Sequence, residues 1–559
     1  MSLVAPCPLQ ALPAGQAVWL QAGILIRFGR SQLPLIRKYH GPLAPTRVDN
    51  VVHLRHYLRR ISHAVPAVLD VGAGTQPDLN ILKIWCTLPM VFPPALAATI
   101  ASADQTPVLR FWDRLDSSGQ SRLLAQLEAV RWDELHALRR LALQPPTAAV
   151  ATPDATTAVT PRCHLLGDPH NGTAVAEAIA AGQQALAEGR VGAILVAGGQ
   201  GTRLGCRGPK GLYAVGPLSG ATLFEVLLGK LQAVRRRYGK DVPLAIMTSS
   251  ATDADTKSYL AATACCGLDP RHLFTFQQQD LPALDAATGN LLLDAPDRVA
   301  MAPDGHGGML TALAASGGLE WFAARGTEHL MSFQVDNPLA MPLHPEFIGC
   351  HILARADIST QVVRKTDPGE RVGVVVTIAG RTHVIEYSDL PATAAAERLS
   401  DGRLRFHAGS IAVHGFTRAF LERVAACHDA LPLHLARKAV PHLDATGTVI
   451  EPKSPNAIKF ERFIFDLMPL ADTVCVVEIA AEEGFAPLKN PAGSAADAPE
   501  HVRAALLRQA HNLLARAGVS VREGVEVELD PASILDEQDI AAVLPHGSVI
   551  DSPQVVRQP

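Results

Sequence analysis

The chain has 559 residues, 48% hydrophobic and 19% charged, with a formal net charge of −4. That length calls for two to four domains. The near-neutral balance argues against a general nucleic-acid or membrane-surface binder. Nine cysteines with no C-x-x-C pair point to reduced thiols in a cytoplasmic protein rather than to a disulfide framework or a zinc site.

The first hundred residues hold prolines, a basic run at Arg55–Arg60 and an apolar stretch, Val18 to Phe28. That stretch is too short to span a bilayer, and the region has no signal-peptide pattern. The string Val68-Leu69-Asp70-Val71-Gly72-Ala73-Gly74 resembles the first strand and loop of S-adenosylmethionine-dependent methyltransferases. A domain of that kind needs further strand–helix units, which do not follow, so the string reads as a turn.

From Val108 a helical period places Leu109, Trp112, Leu115, Leu123, Leu127, Trp132, Leu135 and Leu138 on apolar faces. An Ala/Thr/Pro-rich run ending at Pro161 reads as a linker. Apolar strands then alternate with helical stretches to about residue 480, the pattern of an open α/β sheet. The end, from about Asn490, carries one helix (Val502 to Ala517) and short strands. The expected divisions are 1–102, an extension without an assigned role; 103–185, helical segment and linker; 186–490, catalytic; and 491–559, a small C-terminal α+β domain.

The most informative stretch is "AILVAGGQGTRLGCRGPKGLYAVG", Ala193 to Gly216. Ala193 to Val196 suits a buried strand, and Gly198, Gly199 and Gly201 let the backbone approach a ligand without Cβ interference. A helix opened by Thr222 follows. Strand, glycine loop and helix make an anion cradle, to which Arg203 and Lys210 add positive charge. Lys210 precedes Gly211 rather than Ser or Thr, which excludes a P-loop. The spacing of Gly199, Gly201 and Gly205 excludes the dinucleotide fingerprint.

Five further stretches follow in order: "FQQQDLPALD" from Phe276, "MAPDGHGGML" from Met301, "QVDNPL" from Gln334, "VIEYSDL" from Val384 and "PNAIKFERFIFD" from Pro455, closed by "FAPLKN" at Asn490. Together with the glycine loop they resemble the UDP-sugar uridylyltransferases, most of all the eukaryotic-type UDP-N-acetylhexosamine pyrophosphorylases, over residues 105 to 490. The resemblance implies an open, mostly parallel Rossmann-like nucleotidyltransferase sheet and a reaction. UTP and a hexose 1-phosphate, first of all N-acetylglucosamine 1-phosphate, give UDP-sugar and pyrophosphate with Mg²⁺. Glucose 1-phosphate or a broad sugar range is the alternative acceptor, and a sugar-nucleotide-binding regulator the non-enzymatic one. Since the resemblance starts near residue 105, a chain starting near Ala103 is expected to keep the activity.

The resemblance also implies roles. Val196, Ala197, Gly198 and Gly199 approach the nucleotide, and Gln278 reads uracil through an amide that both donates and accepts. Gly305 passes the base or ribose. Arg203, Lys210 and Lys459 handle the phosphates, and Asp336, at the carboxyl end of a strand, suits Mg²⁺. Glu386 and Tyr387 recognise sugar hydroxyls, and Lys489 holds the sugar phosphate. Two departures fall on the sugar side. His306 stands where the family has Asn in D-G-N-G-G, and Ser410 stands where it has the first Asn of A-G-N-I-A-N-H. His306 is expected to offer one donor and one acceptor, and Ser410 room or a water site.

Overall fold

The computed structural model describes residues 92–143, 155–168, 170, 174–206, 208–427 and 431–559, and the backbone of a short N-terminal hairpin. The chain divides into two units, Met1–Cys86 and Thr87–Pro559. In the first, the apolar stretch forms two antiparallel strands, Ala17–Gln21 and Ile24–Phe28. The basic run and the Val68–Gly74 string lie outside the described residues.

The second unit is organised by a ten-stranded sheet, its strands numbered here in chain order. They are β1 Cys163–Leu165, β2 Val191–Val196, β3 Leu244–Thr248, β4 Leu273–Gln277, β5 His329–Gln334, β6 Ile358–Arg364, β7 Val374–Ile378, β8 Arg381–Ile385, β9 Ala408–Thr417 and β10 Val474–Glu478. The order is β1-β10-β6-β9-β5-β2-β3-β4, with the β7–β8 hairpin attached to β9. Pairing along this path is parallel except at β9, which runs antiparallel to both neighbours. The expected open, mostly parallel sheet is present.

Burial on both faces explains the uninterrupted apolar run of β2. Ala193 and Leu195 join one core, and Ile194, pointing the other way, joins the second. In β5, Met331 and Phe333 enter the first core and Leu330 the second.

Helices cover these faces. The N-terminal segment supplies α1 Pro94–Ser102, α2 Ser117–Ala129 and α3 Trp132–Leu143. Next come α4 Val175–Ala187, α5 Leu223–Tyr238, α6 Gly308–Ala315 and α7 Pro345–Leu353. Thr222 caps α5 as expected, in a reciprocal box with Glu225. Helices α4 and α7 approach so closely that a Cβ on Gly182 would lie 1.9 Å from the Pro345 carbonyl oxygen. One on Gly349 would lie 1.7 Å from that of Ala178, so only glycine permits this crossing.

Two boundaries differ from the sequence reading. The sheet begins at Cys163, just after the run read as linker ends at Pro161 and within the division 103–185 rather than at 186, and α4 follows. The helical segment is not a separate body either. Leu123, Leu127, Leu135 and Leu138 share a core with Leu284, Ile458 and Phe460, from two paired strands next to the site. Ile100 of α1 is fully buried in that core, so a start near Ala103 would remove a packed helix. The chain end folds as α8 Pro499–Arg516 with two short parallel strand pairs. It docks through Glu528, which accepts hydrogen bonds from the Leu218 and Ser219 amides at 2.7 and 2.8 Å.

Candidate active site

The site lies at the carboxyl ends of β2, β3 and β5, where parallel strands of an open sheet direct their following loops toward ligand. Val196 ends β2, and Ala197, fully buried, donates to the Met247 carbonyl of β3. The Gly198 carbonyl accepts from Ser249 Oγ at 2.8 Å. A Cβ on Gly198 would lie 2.7 Å from Gln278 Nε2, so the glycine admits the buried amide expected to read uracil. A Cβ on Gly199 would meet nothing within 4 Å, and its carbonyl accepts the Lys210 N–H at 3.0 Å. The fold thus brings Ala197, Gly198, Gly199 and Gln278 together.

The phosphate groups divide. Lys210 Nζ donates to Asp336 Oδ2 and to the Leu488 carbonyl, both at 3.3 Å, and the Leu488 N–H returns a 2.7 Å bond to the Asp336 carbonyl. The loops after β2, after β5 and before Lys489 therefore close on one another. Arg203 is exposed in the turn Thr202–Leu204 and makes no ion pair among the described residues. Lys459, on the strand Ala457–Glu461, also makes none. It shares a strand face with Glu461, whose Cβ would touch a Cβ on Gly305 at 3.1 Å.

Packing against the Arg462 backbone also calls for glycine at Gly305. Its φ is +84°, and a Cβ would fall 2.6 Å from the Arg462 carbonyl oxygen.

At the sugar end His306 stacks on Phe463, with ring centroids 5.4 Å apart. Its Nδ1 accepts the Ile464 N–H at 3.2 Å. Burial pushes the ring pKa down to about 4, so the imidazole is neutral near pH 7 with its proton on Nε2. This corrects the expectation of one donor and one acceptor: the acceptor is used by backbone, and only the Nε2–H donor remains. Asp336 is among the charges acting on this ring, so the two ends of the site adjoin.

Ser410 and Glu386 come together through Gly373. The Ser410 N–H donates to the Gly373 carbonyl at 2.8 Å, and a Cβ on Gly373 would be 3.0 Å from Glu386 Oε1. A bulge in β9 re-aims this stretch. Pairing with β6 shifts between Ser410 and Val413, and Ala412 takes a φ of +54°. Burial first, then Asp389, raises the Glu386 carboxyl pKa, and His434 and Lys489 oppose them. Lys489 Nζ also sits 5.8 Å from the Phe485 ring centroid. Tyr387, 48% exposed, stands at the rim.

The sequence reading missed His434 and Asp466, joined by a 2.7 Å bond from His434 Nε2 to Asp466 Oδ2. The His434 ring lies 4.4 Å from Phe463, making a wall of His306, Phe463 and His434. Phe463 and Asp466 belong to "FERFIFD", so the motif was visible. His434 had no comparable signal.

A protein-family comparison now identifies the scaffold. The model described as UTP–glucose-1-phosphate uridylyltransferase matches residues 171–517. The chain belongs to that family. It is 36% identical to human UDP-N-acetylhexosamine pyrophosphorylase-like protein 1, over 75% of this chain and 85% of that protein. It is 37% identical to the UDP-N-acetylglucosamine pyrophosphorylase of Saccharomyces cerevisiae, over 62% and 74% respectively. A crystal structure assigned to the UDP-N-acetylglucosamine pyrophosphorylase of Entamoeba histolytica aligns with a TM-score of 0.66 at 29% identity, covering 72% of this chain and all of that one. The family is one of nucleotidyltransferases, and this chain is a uridylyltransferase of that class. Among the described residues, no helix is long and apolar enough to cross a membrane.

Proposed function

We propose that the chain transfers the uridylyl group of UTP to N-acetylglucosamine 1-phosphate, releasing pyrophosphate. The observation that carries this reading is the closure of Lys210 and Asp336 on the segment bearing Lys489, beside the Gly198–Gln278 contact. A cation and a carboxylate thus meet the Lys489 segment, and the glycine loop next to them admits the Gln278 amide.

The reaction needs a sugar phosphate oxygen to attack the α-phosphorus in line while pyrophosphate leaves, so the protein's task is to position two anions and offset building charge. Lys210 and Arg203 would grip the triphosphate, with Lys459 touching the nucleotide phosphates. Lys489 would hold the sugar phosphate, and Glu386 and Tyr387 the sugar hydroxyls. Among the described residues no three His, Cys, Asp or Glu side chains form a metal cluster. The Asp336 carboxylate, beside Lys210, fits Mg²⁺, an ion usually held by one or two carboxylates together with waters and substrate phosphates. When bound, that ion would neutralise phosphate charge.

The His306 donor favours acceptors that present an oxygen to Nε2, which both an acetamido carbonyl and a hydroxyl can do. Discrimination between N-acetylglucosamine 1-phosphate and glucose 1-phosphate is therefore weaker than an asparagine would give. Pyrophosphate release with N-acetylglucosamine 1-phosphate tests the reading: UTP should support it and CTP or ATP should not. Equal rates with all three nucleotides would contradict the role of Gln278.

A further inference from the structure

Asn337 follows Asp336 and is 3% exposed. Its side chain makes two hydrogen bonds to one distant segment. Nδ2 donates to the Gly484 carbonyl at 2.9 Å, and Oδ1 accepts the Ala486 N–H at 3.0 Å. That segment runs on through Leu488, which meets the Asp336 carbonyl, to Lys489. It belongs to no strand of the sheet, so its register against the β5 loop rests on these few bonds rather than on a ladder. From the opposite side Lys230 of α5 donates to the carbonyls of Pro338 and Ala340 at 2.6 and 2.8 Å. The Asp336 loop is thus fixed to the helix after the glycine loop on one flank and to the Lys489 segment on the other.

We propose that Asn337 is a positioning residue that sets the separation of Asp336 and Lys489, and with it the approach of the sugar phosphate to the α-phosphorus. This rests on the reading of those two residues given above. Asn337 touches neither substrate; it acts through the segment it holds. Its amide is suited to this because it donates and accepts at once, whereas a carboxylate near neutral pH would only accept.

The experiment is steady-state kinetics of the full chain with UTP and N-acetylglucosamine 1-phosphate, with folding followed by circular dichroism and Tm. Asn337→Ala should raise KM for the sugar phosphate and lower kcat by about tenfold or more, the scale of a misplaced reactant, while KM for UTP changes little. The same substitution made on a Lys489→Ala background should leave the sugar-phosphate KM nearly unchanged, because the group it positions is gone. Equal effects in both backgrounds would reduce Asn337 to a structural role and overturn the proposal. Should Asn337→Ala not fold, Asn337→Asp preserves the size and the Ala486 bond and should show the same KM-weighted loss. Parental kinetics in either folded variant would overturn the proposal. An inactive parent would instead defeat the reading of the site, and this inference with it.

Discussion

The two ends of the site are built differently. The phosphate end is made of loops that follow β2 and β5, tied to each other by Lys210, Asp336 and Leu488. Those strands lie side by side in the sheet, so backbone ladders fix where the loops begin. The sugar end draws on the loop before α6, the bulged β9, the β7–β8 hairpin and the strand and turn around His434 and Phe463, which lie apart in sequence. Its walls are aromatic and imidazole rings, and its two departures from the family pattern, His306 and Ser410, both fall here. On the proposed reading, a fixed cradle for phosphate beside a wall assembled from several elements would let the sugar change while the transfer chemistry stays.

Breaking the phosphate end should have the largest effect. Asp336→Asn keeps the shape and removes the charge expected to draw Mg²⁺, so turnover should collapse while the protein stays folded. Full activity at limiting Mg²⁺ would remove Asp336 from the metal's shell. Lys210→Ala and Arg203→Ala should each lower kcat by a factor on the order of 10², the scale for one transition-state donor. Arg203 sharpens the comparison: it is exposed and has no ion pair among the described residues, so its loss should cost turnover without costing stability. Parental kcat in both variants would make the loop a structural turn.

At the sugar end a smaller loss is expected. Asp466→Asn leaves a hydrogen-bonding group beside His434 but removes the charge that orients it. KM for the sugar phosphate should rise by about three- to tenfold, the worth of a charge-assisted hydrogen bond over a neutral one, while KM for UTP holds. A rise in both constants would place this pair outside the sugar pocket.

The smallest effect concerns pH. Burial lowers the pKa of His306 to about 4 and those of His351 and His414 to about 3. A histidine with a depressed folded-state pKa contributes stability that is present above its unfolded pKa, near 6.5, and lost as pH falls through the folded value. Tm should therefore drop between about pH 6.5 and 4. His306→Asn should reduce the accompanying loss of unfolding free energy by at most about 3 kcal/mol, from about 1.4 kcal/mol per pKa unit. An identical profile in parent and variant would mean that His306 is charged, or equally solvated, in both states.

How far each end was legible in the sequence follows from the same difference. The strand-loop-helix unit at Val191 to Tyr238 is local, and its apolar run, glycines and Thr222 cap are written in consecutive residues. The position of Asp336 after a buried strand was equally plain. The sugar wall was not, because His434 meets Asp466 only after the turn Ile464–Leu470 folds back. Asn337 carried no signal in the sequence, because its partners Gly484 and Ala486 lie 147 and 149 residues away in the chain. The edge strand β1 escaped for a similar reason: three residues, Cys163 to Leu165, carry no period long enough to mark a strand.

The central claim is that the phosphate machinery is intact and that His306 and Ser410 alter only the choice of sugar. Its most direct test is pyrophosphate release from UTP with N-acetylglucosamine 1-phosphate and with glucose 1-phosphate, comparing kcat/KM for the parent and for His306→Asn combined with Ser410→Asn. The account predicts that both substrates turn over in the parent and that the double variant shifts the ratio toward the N-acetylated sugar by about tenfold, the worth of one matched polar contact. The same ratio in both proteins would show that these positions do not select the sugar.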